Sequence, residues 1–198
     1  MNHYFSEQQN IEFKLKKIEV IIKNKRFKLY TSSGVFSKSK LDTGSKILIK
    51  NAIIKKNSYV LDLGCGIGVI GIIIKIIDPS LKILMTDINN RALELAKKNI
   101  KSYNINNEAR KSNIFSNIPE KFDVILLNPP IKAGKSVCFK MIDESYLHLN
   151  KNGSLQIVVK TNKGALSFKE KMLGVFGNVK ELAKESGYRI YFSEVVGK

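Results

Sequence analysis

From residue 58 onward, short apolar runs alternate with longer stretches in which apolar positions recur every three or four residues. The short runs are nearly continuous, as in strands covered on both faces, and the longer ones have helical periodicity. Strands are predicted over 59–63, 82–86, 109–111, 122–127 and 154–160, and helices over 69–77, 91–103, 135–149 and 164–176. Two further strand-like pieces, 179–183 and 188–194, flank a turn containing Gly187 that is short enough to force an antiparallel hairpin. The pattern predicts an α/β fold, a doubly wound and mostly parallel seven-stranded sheet that ends in an antiparallel hairpin.

Ahead of this region the period changes. Alternation at 17–23 and 26–30, with Asn24 and Lys25 between, predicts a small N-terminal β-hairpin. A polar, glycine-containing stretch follows, and then an apolar-periodic run over 46–54 that predicts a helix, with Ser45 or Thr43 as its cap. No repeat or low-complexity linker divides the chain, so one domain over residues 1–198 is expected, with 1–45 as an N-terminal extension and 46–198 as the core.

Charge points to a polyanionic partner. The chain carries 34 Lys and Arg against 17 Asp and Glu, a formal charge of +17, which raises the local concentration of any nucleic acid. Thirty of the 34 are Lys, beside abundant Ile and Asn, so a proteome-wide compositional bias would also produce part of the excess. Cys65 and Cys138 are far apart in sequence and belong to no CxxC or Cys/His cluster, which predicts no metal site and a reduced, cytoplasmic setting. The opening residues lack the apolar segment of a signal peptide, and the longest apolar run, 67–74, is too short to cross a bilayer. A soluble protein is expected.

Two motifs carry candidate chemistry. VLDLGCGIGVIG, residues 60–71, joins a strand to a helix through closely spaced glycines, which bring backbone and helix N–H groups close to a ligand. Read from Gly66 through Gly68 to Gly71, with Asp87 about twenty residues on, it matches a dinucleotide fingerprint, so a hydride-transfer enzyme competes. Asp62, however, stands just before the first glycine, where its carboxylate would repel a pyrophosphate and attract a cationic cofactor. That favours S-adenosylmethionine, with Asp62 near its amino acid end and Asp87 on its ribose hydroxyls. The bland alternatives are that Asp62 caps local backbone N–H groups and that Asp87 caps the next helix.

The second motif, FDVILLNPPIKAG at 122–134, ends an apolar strand with Asn-Pro-Pro at the carboxyl edge where open α/β sheets place ligands. The prolines fix the local backbone and remove N–H donors, so Asn128 and the carbonyls beside it offer acceptors to an amine. An Asn-Pro turn that merely ends the strand is the competing reading.

DLGCGIGVIG, TDIN and NPPIKAG together resemble class I methyltransferases that act on guanine in small-subunit ribosomal RNA, and above all the single-domain relatives of the RsmC-type enzymes. GVFSKSKLDTGSKILI at 34–49, HYFSE at 3–7, TNKGA at 161–165 and FGNV at 176–179 extend the resemblance over nearly the whole chain. It implies a Rossmann-like fold and cofactor contacts from Asp62, Gly64, Cys65, Gly66, Asp87, Ile88, Asn113 and Asn128. It also implies that Asn128, Pro129 and Pro130 face the target amine, and that the segment with Phe36 and residues 42–45 closes over the cofactor. Substrate contacts are expected from Phe36, Ile131, Lys132, Lys135 and Lys163, with Lys160 near them, and the implied partner is ribosomal RNA or a partly assembled small subunit. Two departures stand out. Long members carry an additional N-terminal domain with no counterpart in these residues, and many amino-methyltransferases have an aromatic after Pro-Pro where this chain has Ile131. Stacking of a flipped base would then fall to Phe36, Phe139 or the Tyr4-Phe5 pair, Phe139 being better suited to core packing. Rival functions are methylation of an adenine amine or a protein glutamine, and an RNA-binding module without turnover. Cys65 is read as a small residue needed for spacing, and His148 as a helix-end residue.

Overall fold

The computed structural model describes residues 15–32 and 43–197. Strands β1 (Leu15–Ile22) and β2 (Lys25–Ser32) form the N-terminal hairpin, and α1 (Thr43–Asn51) follows. The core then runs β3 (Tyr59–Leu63), α2 (Val69–Ile77), β4 (Lys82–Asp87), α3 (Asn90–Ser102), β5 (Glu108–Lys111), β6 (Phe122–Leu127), α4 (Lys135–Leu147), β7 (Leu149–Lys160), α5 (Ala165–Phe176), β8 (Lys180–Glu185) and β9 (Tyr188–Glu194). Seven strands make one sheet in the order β5-β4-β3-β6-β7-β9-β8, parallel except for β9, which runs antiparallel to both neighbours. The expected fold class is therefore the one observed.

Alternation along the central strands divides the core in two. Val60, Val124 and Leu126 face the layer built from α1, α2, α3 and the hairpin, while Leu61, Leu63, Ile125 and Leu127 face α4 and α5. Strands buried on both sides explain the continuous apolar runs, each fully buried Leu or Ile contributing about 1.5–3 kcal/mol. The strand order reverses between β3 and β6, because β4 and β5 lie on one side and β7 to β9 on the other. That reversal opens a crevice at the carboxyl ends of β3 and β6.

Several boundaries differ from expectation. The N-terminal turn is Lys23–Asn24, both with positive φ (47° and 62°), one residue earlier than the polar pair Asn24–Lys25 suggests. Helix α1 starts three residues earlier, at Thr43, and ends at Asn51, since Gln156 on β7 takes up both the N–H and the carbonyl of Ile53. Strand β7 begins at Leu149, which pairs with Phe122 ahead of a register shift, so α4 stops at Leu147. His148, just past α4, stacks on Phe115 at 4.3 Å and contacts the Glu120 carbonyl at 3.0 Å, and it does not line the crevice. No described helix is long and apolar enough to cross a membrane.

Candidate active site

The turn after β3 is shaped by three glycines with positive φ, Gly64 (71°), Gly66 (56°) and Gly68 (85°), a region that side chains with a Cβ rarely adopt. Two carboxylates hold it, Asp62 buried and Asp87 half-buried. Asp62 Oδ2 accepts the Gly71 N–H at 2.8 Å inside the first turn of α2, and Asp87 Oδ2 accepts the Gly66 N–H at 2.8 Å. A Cβ on Gly71 would lie 2.5 Å from the Met85 sulfur and 3.2 Å from Asp62 Oδ2, so this third fingerprint glycine exists for the packing of α2 onto β3 and β4.

Asp62 is 1% exposed and lies behind the loop, not on the crevice wall. Burial pushes its carboxyl up to about 7, opposed by the Gly71 hydrogen bond and reinforced by the neighbouring Asp87 charge. Asp87 does face the crevice. Burial also raises its pKa, against the lowering effect of the Asn89, Gly66 and Ile88 N–H groups. The cap of α3 is Asn89, whose Oδ1 accepts from Arg91 and Ala92, so Asp87 is not needed for that task. Cys65 is buried beside the loop with its thiol pKa driven up by desolvation, which suits a packing residue and leaves no reactive thiolate.

The cavity between the two motif loops has a volume of about 180 Å³. Gly64 and Gly66 form one side, Asn128 and Pro130 the other, and Asp87, Ile88 and Asn113 close the end toward β5. Beyond Asn113, Ile114 also lines the cavity at φ 55°, an unusual conformation for a β-branched residue that costs on the order of 1–3 kcal/mol. Ser112 holds that conformation, donating to the Ile114 carbonyl at 2.8 Å and accepting the Asn117 N–H at 3.2 Å. Val137 and Met141, one turn apart on α4, complete an apolar wall that the motifs did not reveal; their helical spacing was its only trace in the sequence.

On the acceptor side, Asn128 Nδ2 donates to Ser45 Oγ at 3.0 Å, which orients the amide plane from α1. The Pro129 carbonyl accepts the Ile131 N–H at 2.9 Å, and the Pro130 carbonyl accepts the Ala133 N–H at 2.8 Å, so each proline is followed by a tight local bond. Pro129 is buried and Ile131 packs toward the α4 and α5 layer instead of lining the cavity. Lys132, Lys135, Lys160 and Lys163 are exposed. Phe139 is half-buried, edge-on to Phe168 at 5.5 Å, a core position. Phe36, residue 42 and the Tyr4-Phe5 pair lie outside the described residues.

The donor set discriminates between the two cofactor readings. No Lys, Arg or His lines the cavity among the described residues, so a pyrophosphate would find no counterion there, while a carboxylate and apolar walls suit a cationic nucleoside. Among the described residues there is also no cluster of three or more potential metal ligands.

Residues 26–192 match the family described as Methyltransferase small domain. An uncharacterized protein of Bacillus subtilis (strain 168), YbxB, is 36% identical over 192 residues, covering 95% of this chain and 96% of the relative. Ribosomal RNA small subunit methyltransferase C of Haemophilus influenzae (strain PittGG) is 35% identical over 196 residues, and this chain spans 58% of that relative's length. The fold superposes with a TM-score of 0.80 on a Thermus thermophilus 16S rRNA N2 G1207 methyltransferase (RsmC) solved with AdoMet and guanosine, at 19% identity, over 94% of this chain and 52% of that one. The chain belongs to the methyltransferase small-domain family, class I enzymes that use S-adenosylmethionine.

Proposed function

We propose that this chain methylates the exocyclic amine of a guanine in small-subunit ribosomal RNA, free or in a partly assembled subunit, in the cytoplasm. The observation that carries the reading is that the glycine turn and the Asn-Pro-Pro tip line one cavity, Gly64 and Gly66 opposite Asn128 and Pro130. The names of the Haemophilus relatives support the RNA substrate, and so does the formal charge of +17.

S-adenosylmethionine, when bound, supplies a methyl group on a cationic sulfur that leaves as a neutral thioether. Asp87 would hold its ribose hydroxyls and Asn113 the edge of its adenine, both being polar groups on the wall of the cavity. Gly64, Gly66 and Ile88 contribute backbone shape, and Asp62 acts from behind by locking the loop to α2. Asn128 accepts an N–H of the target amine, with the remaining lone pair of the Pro129 carbonyl as the second acceptor, so that the nitrogen lone pair is aimed in line at the methyl carbon. Once the new N–C bond has formed, the surplus proton passes to water. Lys132, Lys135 and Lys163 meet phosphates along the rim beyond Pro130.

Labelled-methyl transfer to ribosomal RNA and to partly assembled subunits, with nuclease mapping of the product, tests the reading. Label in a guanosine, lost in Asn128→Ala, is the expected result. Label in protein alone overturns it, and label on adenosine overturns the choice of guanine.

A further inference from the structure

The hairpin and α3 build a second basic surface outside the cavity. Val20, Ile22, Phe27 and Leu29 face the core, so alternation sends Lys17, Glu19 and Ile21 of β1, and Arg26, Lys28 and Tyr30 of β2, to the outer face. Helix α3 and the residue that ends it close the free edge of β2 with two side chains. Asn99, fully buried, accepts the Tyr30 N–H at 2.6 Å and donates to the Tyr30 carbonyl at 3.0 Å, while the Tyr103 hydroxyl accepts the Lys28 N–H at 2.7 Å and donates to its carbonyl at 3.1 Å. These side chains pair with β2 much as a neighbouring strand would, and they set the exposed side of α3 next to the outer face of the hairpin. The Tyr30 ring sits at the junction with two ammonium groups over it, Lys17 Nζ at 5.0 Å and Lys98 Nζ at 4.8 Å.

Charge here exceeds what a uniform lysine bias delivers. Residues 15–32 and 90–102 carry ten basic side chains and two acidic ones, Glu19 and Glu94, a ratio of five to one against two to one for the whole chain. Glu19 is engaged by Arg26 at 3.6 Å, and among the described residues neither Lys17 nor Lys98 has an ion-pair partner. Two ammoniums converging on one ring repel each other, so an external anion between them lowers the energy. Lys28, Lys97 and Lys101 continue the surface and are exposed. A row of cations on a rigid strand pair and helix, with an aromatic at its centre, matches the repeating charge of a nucleic-acid backbone.

We propose that the outer face of β1–β2 and the adjoining side of α3 form a second docking surface for an RNA backbone. It extends the proposed function by giving the RNA substrate a hold away from the reacting base. Asn99 links the two places, because its Nδ2 also donates to the Ile67 carbonyl in the glycine turn at 3.0 Å. Helix α3 starts at the cavity rim, and Lys98 stands eight residues beyond Asn90, about 12 Å along the axis.

The test compares two triple variants that remove the same charge. Lys17→Gln/Lys28→Gln/Lys98→Gln alters the proposed surface, and Lys55→Gln/Lys56→Gln/Lys121→Gln alters exposed lysines at the amino ends of β3 and β6. Binding of a fluorescein-labelled single-stranded RNA is followed by anisotropy over a salt series without cofactor, beside thermal melting and calorimetric cofactor binding. The surface variant should bind RNA at least about 10-fold more weakly and lose about 2 from the log–log salt slope, at roughly 0.7 per phosphate contact. The control should stay within about 2-fold, with melting and cofactor affinity unchanged in both. Equal losses in the two variants, or none in the surface variant, overturn the proposal, as does wild-type binding to phosphatidylserine vesicles with no binding to RNA. Failure of the guanine reading looks different: RNA binding would still fall in the surface variant while no methyl group enters RNA with the wild type.

Discussion

The two sides of the crevice are built to different standards. On the β3–β4 side, the turns are tied by nearby side chains: Asp62 to Gly71, Asp87 to Gly66 and to the Asn89 N–H at 2.8 Å, and Asn89 to the start of α3. On the β6 side the tip is stiff because Pro129 and Pro130 allow little else, and the Asn128 amide takes its orientation from Ser45, 83 residues away on α1. One side is prepared before any ligand arrives. The other is aligned by a side chain of an element far away in sequence. Cofactor affinity should therefore depend on the first side and methyl transfer on the second.

The largest effect expected is on the acceptor side. Asn128→Ala should lower methyl transfer by about 100- to 1000-fold, the usual cost of losing one aligned polar group at a reacting centre, while cofactor affinity in calorimetry moves by less than about 10-fold. A cofactor affinity that falls as far as the rate would erase the division. Asp87→Asn should do the reverse, weakening cofactor binding by about 10- to 100-fold, as expected for losing charge-assisted hydrogen bonds, with single-turnover transfer at saturating cofactor much less affected.

A smaller effect concerns pH. The folded state keeps a proton on Asp62 up to about pH 7, whereas the unfolded chain has lost it near pH 4. The folded state thus binds more protons in this window, and stability falls as pH rises through it, with a slope of up to about 1.4 kcal/mol per pH unit. Urea unfolding from pH 5 to 8 should show that decline in the wild type and a shallower one in Asp62→Asn, whose amide oxygen can still accept the Gly71 N–H; parallel profiles would mean that Asp62 is already ionised at pH 5. Asp87 shifts in the same direction, so the difference between the two proteins isolates Asp62. The smallest change is Ser45→Ala, expected to slow transfer by about 2- to 10-fold with cofactor binding intact, as befits one neutral hydrogen bond. No change in rate would mean that Ser45 does not orient Asn128.

Legibility followed the range of the forces involved. The strands 59–63, 122–127 and 188–194 and the helix 69–77 appear where the pattern places them, because burial on both faces or one is written in the residues themselves. The glycine turn and Asp87 were equally local, since positive φ and a strand-end acid leave plain marks. Whether Asp87 caps the next helix was not legible: Asn89 takes that place, and Asp87 is turned to the Gly66 N–H by the approach of the glycine turn.

By itself, then, the sequence determined the alternation of elements, the glycine turn and the rigid Asn-Pro-Pro tip, because each is set by neighbours a few positions apart. Tertiary structure alone decided that Asp62 is sealed behind the loop, that Ser45 bonds to Asn128, that no cation lines the cavity among the described residues and that Asn99 joins the hairpin to the glycine turn. Each of these depends on which distant strands and helices become neighbours, and that is chosen by the joint burial of the whole core, which no short window of residues records.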